Sequence, residues 1–395
     1  MIKKTTRLMM CAMAVLSLAA STVKALEAGT GKLTPLGKGT VKVFILAGQS
    51  NMEGHAGVKT LDQLGKHPTH GHLLKKIRKP NGEYVVRNDV FVSYKNEDEH
   101  IKRPLSVGIG ASAEEFGPEL LFGIEMGDAL KEPVLLIKTC WGGHSLYGNF
   151  RPPSAGKPAY QTDCRTEEMG ASYHKMVKEV RACLASLDTE FPKLKGLKPE
   201  LCGFVWFQGW NDMCAGEEIK KQVYDEYGSN FVHLVQDLRA EFKVPNLPVV
   251  IGELGVGGEK ADQDMMDFRA AQAKIEASPE LKGTLGYVRT APFWYSKLDE
   301  LAGKMESEEA RVRSLVEPKI TKRMKNKPEM KDSEKMEELI NEAAEKAMET
   351  DAAYQKVKKE ADKHIAHWGC HYHGSATVYS MVGYSLAEAM KPLLK

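Results

Sequence analysis

Val41–His55 reads VKVFILAGQSNMEGH, and the fold follows from how this stretch is parsed. Val41 to Ala47 is an apolar run rich in β-branched residues, and Gly48 closes it. Such a run, ended by glycine and followed by Gln49-Ser50-Asn51-Met52, predicts a buried strand that turns into a tight loop. In open α/β sheets ligands bind just outside the carboxyl ends of strands. Ser50 would stand there on a rigid support, where a nucleophile needs to be held for attack. Read by itself, the same serine could simply cap a following helix.

Further apolar runs repeat the pattern. Val134–Ile137, Gly203–Phe207, Leu247–Leu254 and Leu285–Thr290 read as strands. Between them, 120–130, 173–187, 218–242 and 262–277 carry helical spacing, and 375–390 reads as a last helix. Strands alternating with helices predict an α/β fold with a central parallel sheet covered on both faces. Residues 57–105 read as surface structure and 148–170 as a long polar loop. The rhythm breaks at about 298–364, which is rich in Lys and Glu. There Met336, Leu339, Ile340, Ala343, Ala347, Tyr354 and Val357 recur at three- and four-residue steps, predicting a long helix with one apolar stripe. This segment is read as a charged helical insertion into a single domain spanning 26–395.

The chain has 395 residues, 42% hydrophobic and 27% charged, so it can bury a large core. A net charge of +2 gives no electrostatic case for nucleic acid. Lys3, Lys4 and Arg7 precede an apolar run from Leu8 to Ala20, and Val23-Lys24-Ala25 fits a small-x-small cleavage site. Residues 1–25 are therefore expected to be a signal peptide, too short to span a membrane, with a periplasmic or secreted product. Cys140, Cys164, Cys183, Cys202, Cys214 and Cys370 would remain, an even number for which export permits disulfides without the sequence choosing a pairing. No CxxC occurs, and Cys370-His371 has no second ligand pair at finger spacing, so no metal site is expected.

Four strand-end loops then carry chemistry. They hold Ser50, Gly142-Gly143, Asn211 and a histidine cluster of His364, His367, His371 and His373. Acyl transfer needs a serine to attack, a histidine to move its proton, and N–H donors to stabilise the oxyanion. In this order Gly48-Gln49-Ser50-Asn51-Met52, Gly142-Gly143-His144-Ser145, Gln208-Gly209-Trp210-Asn211-Asp212 and the His-x-x-Gly-Ser-Ala of 371–376 resemble the blocks of the SGNH/GDSL hydrolases. The likeness is greatest to the sialate O-acetylesterase and acetyl-xylan esterase branch.

That resemblance implies a three-layer α/β/α sandwich, flavodoxin-like, and a cofactor-free serine esterase that removes O-acetyl groups from carbohydrate. It implies Ser50 as nucleophile and His371 as base, with His373 the runner-up. It implies an oxyanion hole from the Ser50 and Gly143 N–H groups and the Asn211 side chain. Trp368 stands where the family's common pattern has an aspartate. Glu253 and Asp362 are therefore candidates for the third triad member, and a backbone carbonyl is the alternative. Gln49, Asn51 and Gln208 are amides beside Ser50, suited to positioning the loops or to binding sugar hydroxyls, and Trp210 in the same loops could meet a sugar ring or simply pack. Acetylated carbohydrate is the expected partner, with neither nucleic acid nor, after cleavage of the leader, a membrane. The rival readings are another SGNH esterase or lipase, and a glycan-binding protein that has lost catalysis.

Overall fold

The computed structural model of the chain describes residues 39–96, 99–160, 168–325, 327, 332–367 and 371–394. The leader 1–25, Cys164, Trp368 and Cys370 lie outside these residues. The strands are β1 (Thr40–Gly48), β2 (Ala56–Gly57), β3 (Val90–Lys95), β4 (His100–Pro104), β5 (Glu115–Phe116), β6 (Val134–Cys140), β7 (Lys198–Phe207), β8 (Val249–Gly252) and β9 (Leu285–Val288). Seven of them form one sheet in the order β4-β3-β6-β1-β7-β8-β9, while β2 and β5 pair separately. Every neighbouring pair in the large sheet is parallel except β3 with β4.

β1 lies in the middle because its residues are buried on both faces, from Val43 to Gly48 without a break. That is the pattern of a strand covered by helices on each side. Successive side chains of β7 show the two layers. Trp206 packs against Phe231 of the helix Glu217–Phe242, and its Nε1 donates to Tyr227 Oη. The next residue, Phe207, points to the opposite face and packs against Tyr372, just before the helix Ala376–Met390. On that second face Phe44 meets Phe122 of the helix Glu119–Ala129 edge to face, with ring centroids 5.4 Å apart. The expected three-layer α/β/α sandwich is therefore the observed one. Among the described residues no helix is long and apolar enough to cross a membrane.

Two expectations need correction. Residues 57–105 are not only surface structure: β3 and β4 extend the main sheet, and Val90, Phe91, Val92 and Tyr94 are core residues. β4 conceals itself in the sequence because it is an edge strand, His-Ile-Lys-Arg-Pro, with Ile101 alone buried. The insertion is not one long helix. It comprises Ser296–Met324, Ser333–Met348 and Ala352–Ala361. The two later helices start where an aspartate caps them: Asp332 Oδ1 accepts from the Glu334 and Lys335 N–H groups, and Asp351 Oδ1 from Ala353 and Tyr354. An aspartate cap of this kind is worth about 1 kcal/mol, which favours a new helix over continuation of the old one.

Candidate active site

The register of the sheet determines which loops meet. Gly48, the last residue of β1, lies opposite Cys140 at the end of β6 and Phe207 at the end of β7. The three loops that follow must leave the sheet side by side. A side chain at position 48 would put its Cβ 2.3 Å from the Phe207 carbonyl oxygen, so only glycine lets the strands close here. Ser50 then opens a one-turn helix, Ser50–Glu53, and is 8% exposed. Its Cβ is 3.9 Å from the point where a Cβ on Gly142 would lie. Gly143 follows at a φ of 77°, a left-handed turn that glycine adopts without strain.

Hydrogen bonds brace these loops to one another. Gln49 Nε2 donates to Asn211 Oδ1 at 2.8 Å. Gln49 Oε1 accepts from Gln208 Nε2, Gly209 N and Asn211 N at 3.1, 3.2 and 3.1 Å. Gln208 Nε2 also donates to the His144 carbonyl at 3.1 Å and to Asp212 Oδ2 at 2.5 Å. Asp212 in turn accepts from the Leu146 and Tyr147 N–H groups at 2.8 and 2.9 Å. Burial pushes the Asp212 carboxyl up to about 6, against the pull of Gln208 and those two amides. Gln49 thus fixes the Oδ1 end of the Asn211 amide.

A buried ion pair steadies the far end of the Ser50 helix. Lys138 Nζ donates to the carbonyls of Glu53 and Ile109, each at 2.6 Å, and to Glu119 Oε2 at 3.0 Å. Both side chains are wholly buried. Removing one partner of such a pair typically costs about 3–5 kcal/mol, because it strands the other charge. Nothing in the spacing of Lys138 and Glu119 signals this contact; it depends on the tertiary packing of β6 against the helix that Glu119 begins.

His371 is delivered from the opposite side by a strained turn. Tyr372 and His373 have φ of 50° and 53°, a left-handed conformation that costs non-glycine residues of order 1 kcal/mol each. Tyr372 Oη anchors the turn, accepting from Gly255 N at 2.8 Å and lying 3.2 Å from Thr290 Oγ1. The His371 ring stacks on His55, with centroids 4.0 Å apart and planes at 14°. Burial, with His55 and His367 adding to it, pushes the His371 imidazole down to about 3, while Glu115 pulls the other way. Ser50 and His371 make no hydrogen bond to each other among the described residues; such bonds are often long before substrate arrives. His373 turns elsewhere, its ring 5.1 Å from that of Trp294.

The structure places several expected residues in other surroundings. Glu253 accepts from Tyr287 Oη at 2.8 Å, and no hydrogen bond joins it to His371 among the described residues. Asp362 pairs with Lys358 at 2.5 Å and lies 3.8 Å from Lys59, with no hydrogen bond to His371 among the described residues. The carboxylate that does lie among the histidines is Glu115, which sequence reasoning missed. It hydrogen-bonds His367 Nε2 and lies 3.7 Å from His55 Nδ1. Burial alone would raise its pKa, but His367 and His55 hold it well below the usual carboxylate range. Its placement rests on the two-residue pairing of β2 with β5, Gly57 opposite Glu115, which is too short to read from a pattern.

Gln49, Asn51 and Gln208 are each 1% exposed and so present almost no surface to a sugar in this structure. The two glutamines are spent on the brace, and Asn51 Oδ1 is 3.4 Å from Tyr379 Oη. Trp210 is half-buried and packs against the core. Beside the histidines opens a cavity of about 760 Å³ lined by Gly57, Val58, Lys59, Tyr84, Glu115 and His367, among others.

Several known proteins are similar to this chain. A protein of Arabidopsis thaliana named "Probable carbohydrate esterase" is 23% identical over 240 residues, covering 60% of this chain and 76% of that protein. An X-ray structure of a protein from the same plant covers 64% of this chain and 86% of its own, at 16% identity and a TM-score of 0.39. A carbohydrate acetylesterase from Xanthomonas citri covers 62% of this chain and 49% of its own, at 17% identity and a TM-score of 0.38. The family model described as carbohydrate esterase, sialic acid-specific acetylesterase, matches residues 40–283, a span that holds Ser50, Gly143 and Asn211 and stops short of His371. With more than half of its length under that model, this chain belongs to the sialic acid-specific acetylesterase family and is a carbohydrate esterase.

Proposed function

We propose that the protein hydrolyses O-acetyl esters of carbohydrate through an acyl-enzyme on Ser50. The observation that carries this reading is the shared edge of three strand ends, Gly48 with Cys140 and Phe207, locked by the Gln49–Asn211 hydrogen bond. In the mechanism Ser50 Oγ attacks the acetyl carbonyl while His371 takes its proton. The tetrahedral oxyanion is met by the Ser50 and Gly143 N–H groups and by Asn211 Nδ2. His371 then protonates the leaving sugar hydroxyl. Water attacks the acetyl-enzyme with His371 again as base, releasing acetate and restoring Ser50. Neither Glu253 nor Asp362 takes part. Ser50 and His371 work as a dyad, and Glu115 steadies the imidazolium from beyond His55 and His367. The acetylated sugar occupies the cavity bordered by Lys59, Tyr84 and His367. The protein acts after export, once residues 1–25 are removed.

Turnover of p-nitrophenyl acetate and of an O-acetylated sugar, measured for the wild type and Ser50→Ala, tests the proposal. Both substrates should be cleaved by the wild type alone. Affinity for the sugar without acetate release would mark a glycan-binding protein, and preference for long acyl esters a lipase. N-terminal sequencing of the exported product should begin at Leu26.

A further inference from the structure

Of the three histidines around Glu115, two, His55 and His367, have no role in proton transfer to or from Ser50. His55 follows the Ser50 helix, while His367 and His371 come from the segment before the last helix. One ring nitrogen of each lies within 4.8 Å of those of the other two. His55 and His371 are stacked, and His367 stands edge-on to both, at 79° and 87°. Glu115 Oε1 contacts His367 Nε2 and approaches His55 Nδ1. That Nδ1 is buried and has no hydrogen-bond partner among the described residues. A buried polar nitrogen left unpaired calls for a ligand, since such groups are nearly always satisfied.

From this geometry we propose that His55, His367 and His371 bind one divalent transition-metal ion of the zinc type, with Glu115 as fourth ligand or as the acceptor that orients a ligand ring. Three imidazoles and a carboxylate are the donor set of zinc, and of copper or nickel, but not of magnesium or calcium. Zinc–nitrogen bonds of about 2.0–2.1 Å set tetrahedral nitrogens roughly 3.3 Å apart, so the rings must close in by about 1.5 Å. The stacked His55 and His371 rings would have to rotate apart for their in-plane lone pairs to converge on one ion. The backbone is already fixed: β2 pairs with β5 beside His55, and the His373 carbonyl accepts from the Ala366 and His367 N–H groups. The cavity that Glu115 and His367 line gives the ion a way in.

The consequence for activity rests on the function proposed above. A metal on His371 takes up the lone pair that would accept the Ser50 proton, so the loaded protein cannot hydrolyse an ester. The ion is then a reversible inhibitor that holds the esterase off, not a participant in catalysis.

Zinc chloride titrated into chelator-dialysed full-length protein, followed by calorimetry and by competition with a chromophoric chelator, tests the site. One ion per chain should bind, and excess magnesium should not displace it. His55→Ala and His367→Ala should each weaken binding at least 30-fold, and Glu115→Gln about 10-fold, the usual scale for an outer partner. Cobalt(II) provides a second readout that needs no variant: the wild type should develop the intense visible bands of a four- or five-coordinate ion. Binding that is weak, non-stoichiometric or indifferent to these substitutions overturns the proposal, leaving a hydrogen-bonded histidine net. Ser50→Ala, inactive on the reading above, should bind zinc as the wild type does. Stoichiometric zinc that leaves hydrolysis of p-nitrophenyl acetate undiminished would keep the metal site and remove His371 from the role of base. Hydrolysis that requires zinc would likewise keep the site and overturn the inhibitory role.

Discussion

Replacing Gln49 with Met separates a loop brace from a sugar contact. The chain length is kept, but both polar ends are lost. Asn211 Oδ1, Asn211 N and Gly209 N then have no partner, whereas Gln208 Nε2 keeps His144 and Asp212. Gly209 N is buried and the Asn211 groups are partly buried; a buried orphan costs about 1–3 kcal/mol, so the loss is at least about 1 kcal/mol. That is a measurable fraction of the roughly 5–15 kcal/mol that holds a domain folded. The Asn211 amide also loses the bond that aims it. Loss of one oxyanion donor lowers kcat by about 10²–10³-fold, and a loosened donor should reach the lower part of that range. Urea unfolding and p-nitrophenyl acetate kinetics measure both effects. A fall in the urea midpoint together with a kcat defect of about 10²-fold, and KM within about threefold, is expected for an interaction made in the transition state. A raised KM with kcat and stability intact would show that Gln49 meets the substrate, and would refute the brace.

Other perturbations probe separate parts of the account. Because the His371 ring is held neutral to about 3 by burial and by its neighbours His55 and His367, against Glu115, its base form is lost only as pH falls through that value. The kcat/KM at pH 5 should therefore stay close to that at pH 7, whereas with an ordinary histidine base it would fall about 25-fold; an acid limb near 6.5 would contradict this. Glu253→Gln and Asp362→Asn should each change kcat less than about threefold, and a loss of about 10⁴-fold in either would make that carboxylate a triad member. Asp212, with its folded value raised to about 6, contributes stability below about 4 that is lost as pH rises through 6. Asp212→Asn should flatten that part of the profile of Tm against pH, and an unchanged slope would refute the assignment.

The sheet was legible where residues are buried on both faces. The runs 41–47, 134–137 and 203–207 admit no other reading, and the loops at their ends lie together because parallel strands end in register. β4 escaped notice because an edge strand carries polar residues on its open side. The amides of the site show another limit. Sequence places Gln49, Asn51 and Gln208 beside Ser50 but does not tell an amide facing a sugar from one spent inside the fold. Glu115 was out of reach for a third reason, since its neighbours His55 and His367 lie far from it along the chain and meet it only through tertiary contacts. The same distance along the chain kept His55 out of the histidine cluster read at 364–373.

The central claim is that Ser50 carries the acyl group. Rapid-quench digestion of the wild type with p-nitrophenyl acetate, followed by peptide mass spectrometry, measures it directly. The peptide holding Ser50 should gain one acetyl group, fragmentation should place it on Ser50, and Ser50→Ala should show neither the adduct nor acetate release. Acetate release by Ser50→Ala at the wild-type rate, or an adduct on another residue, would contradict the account.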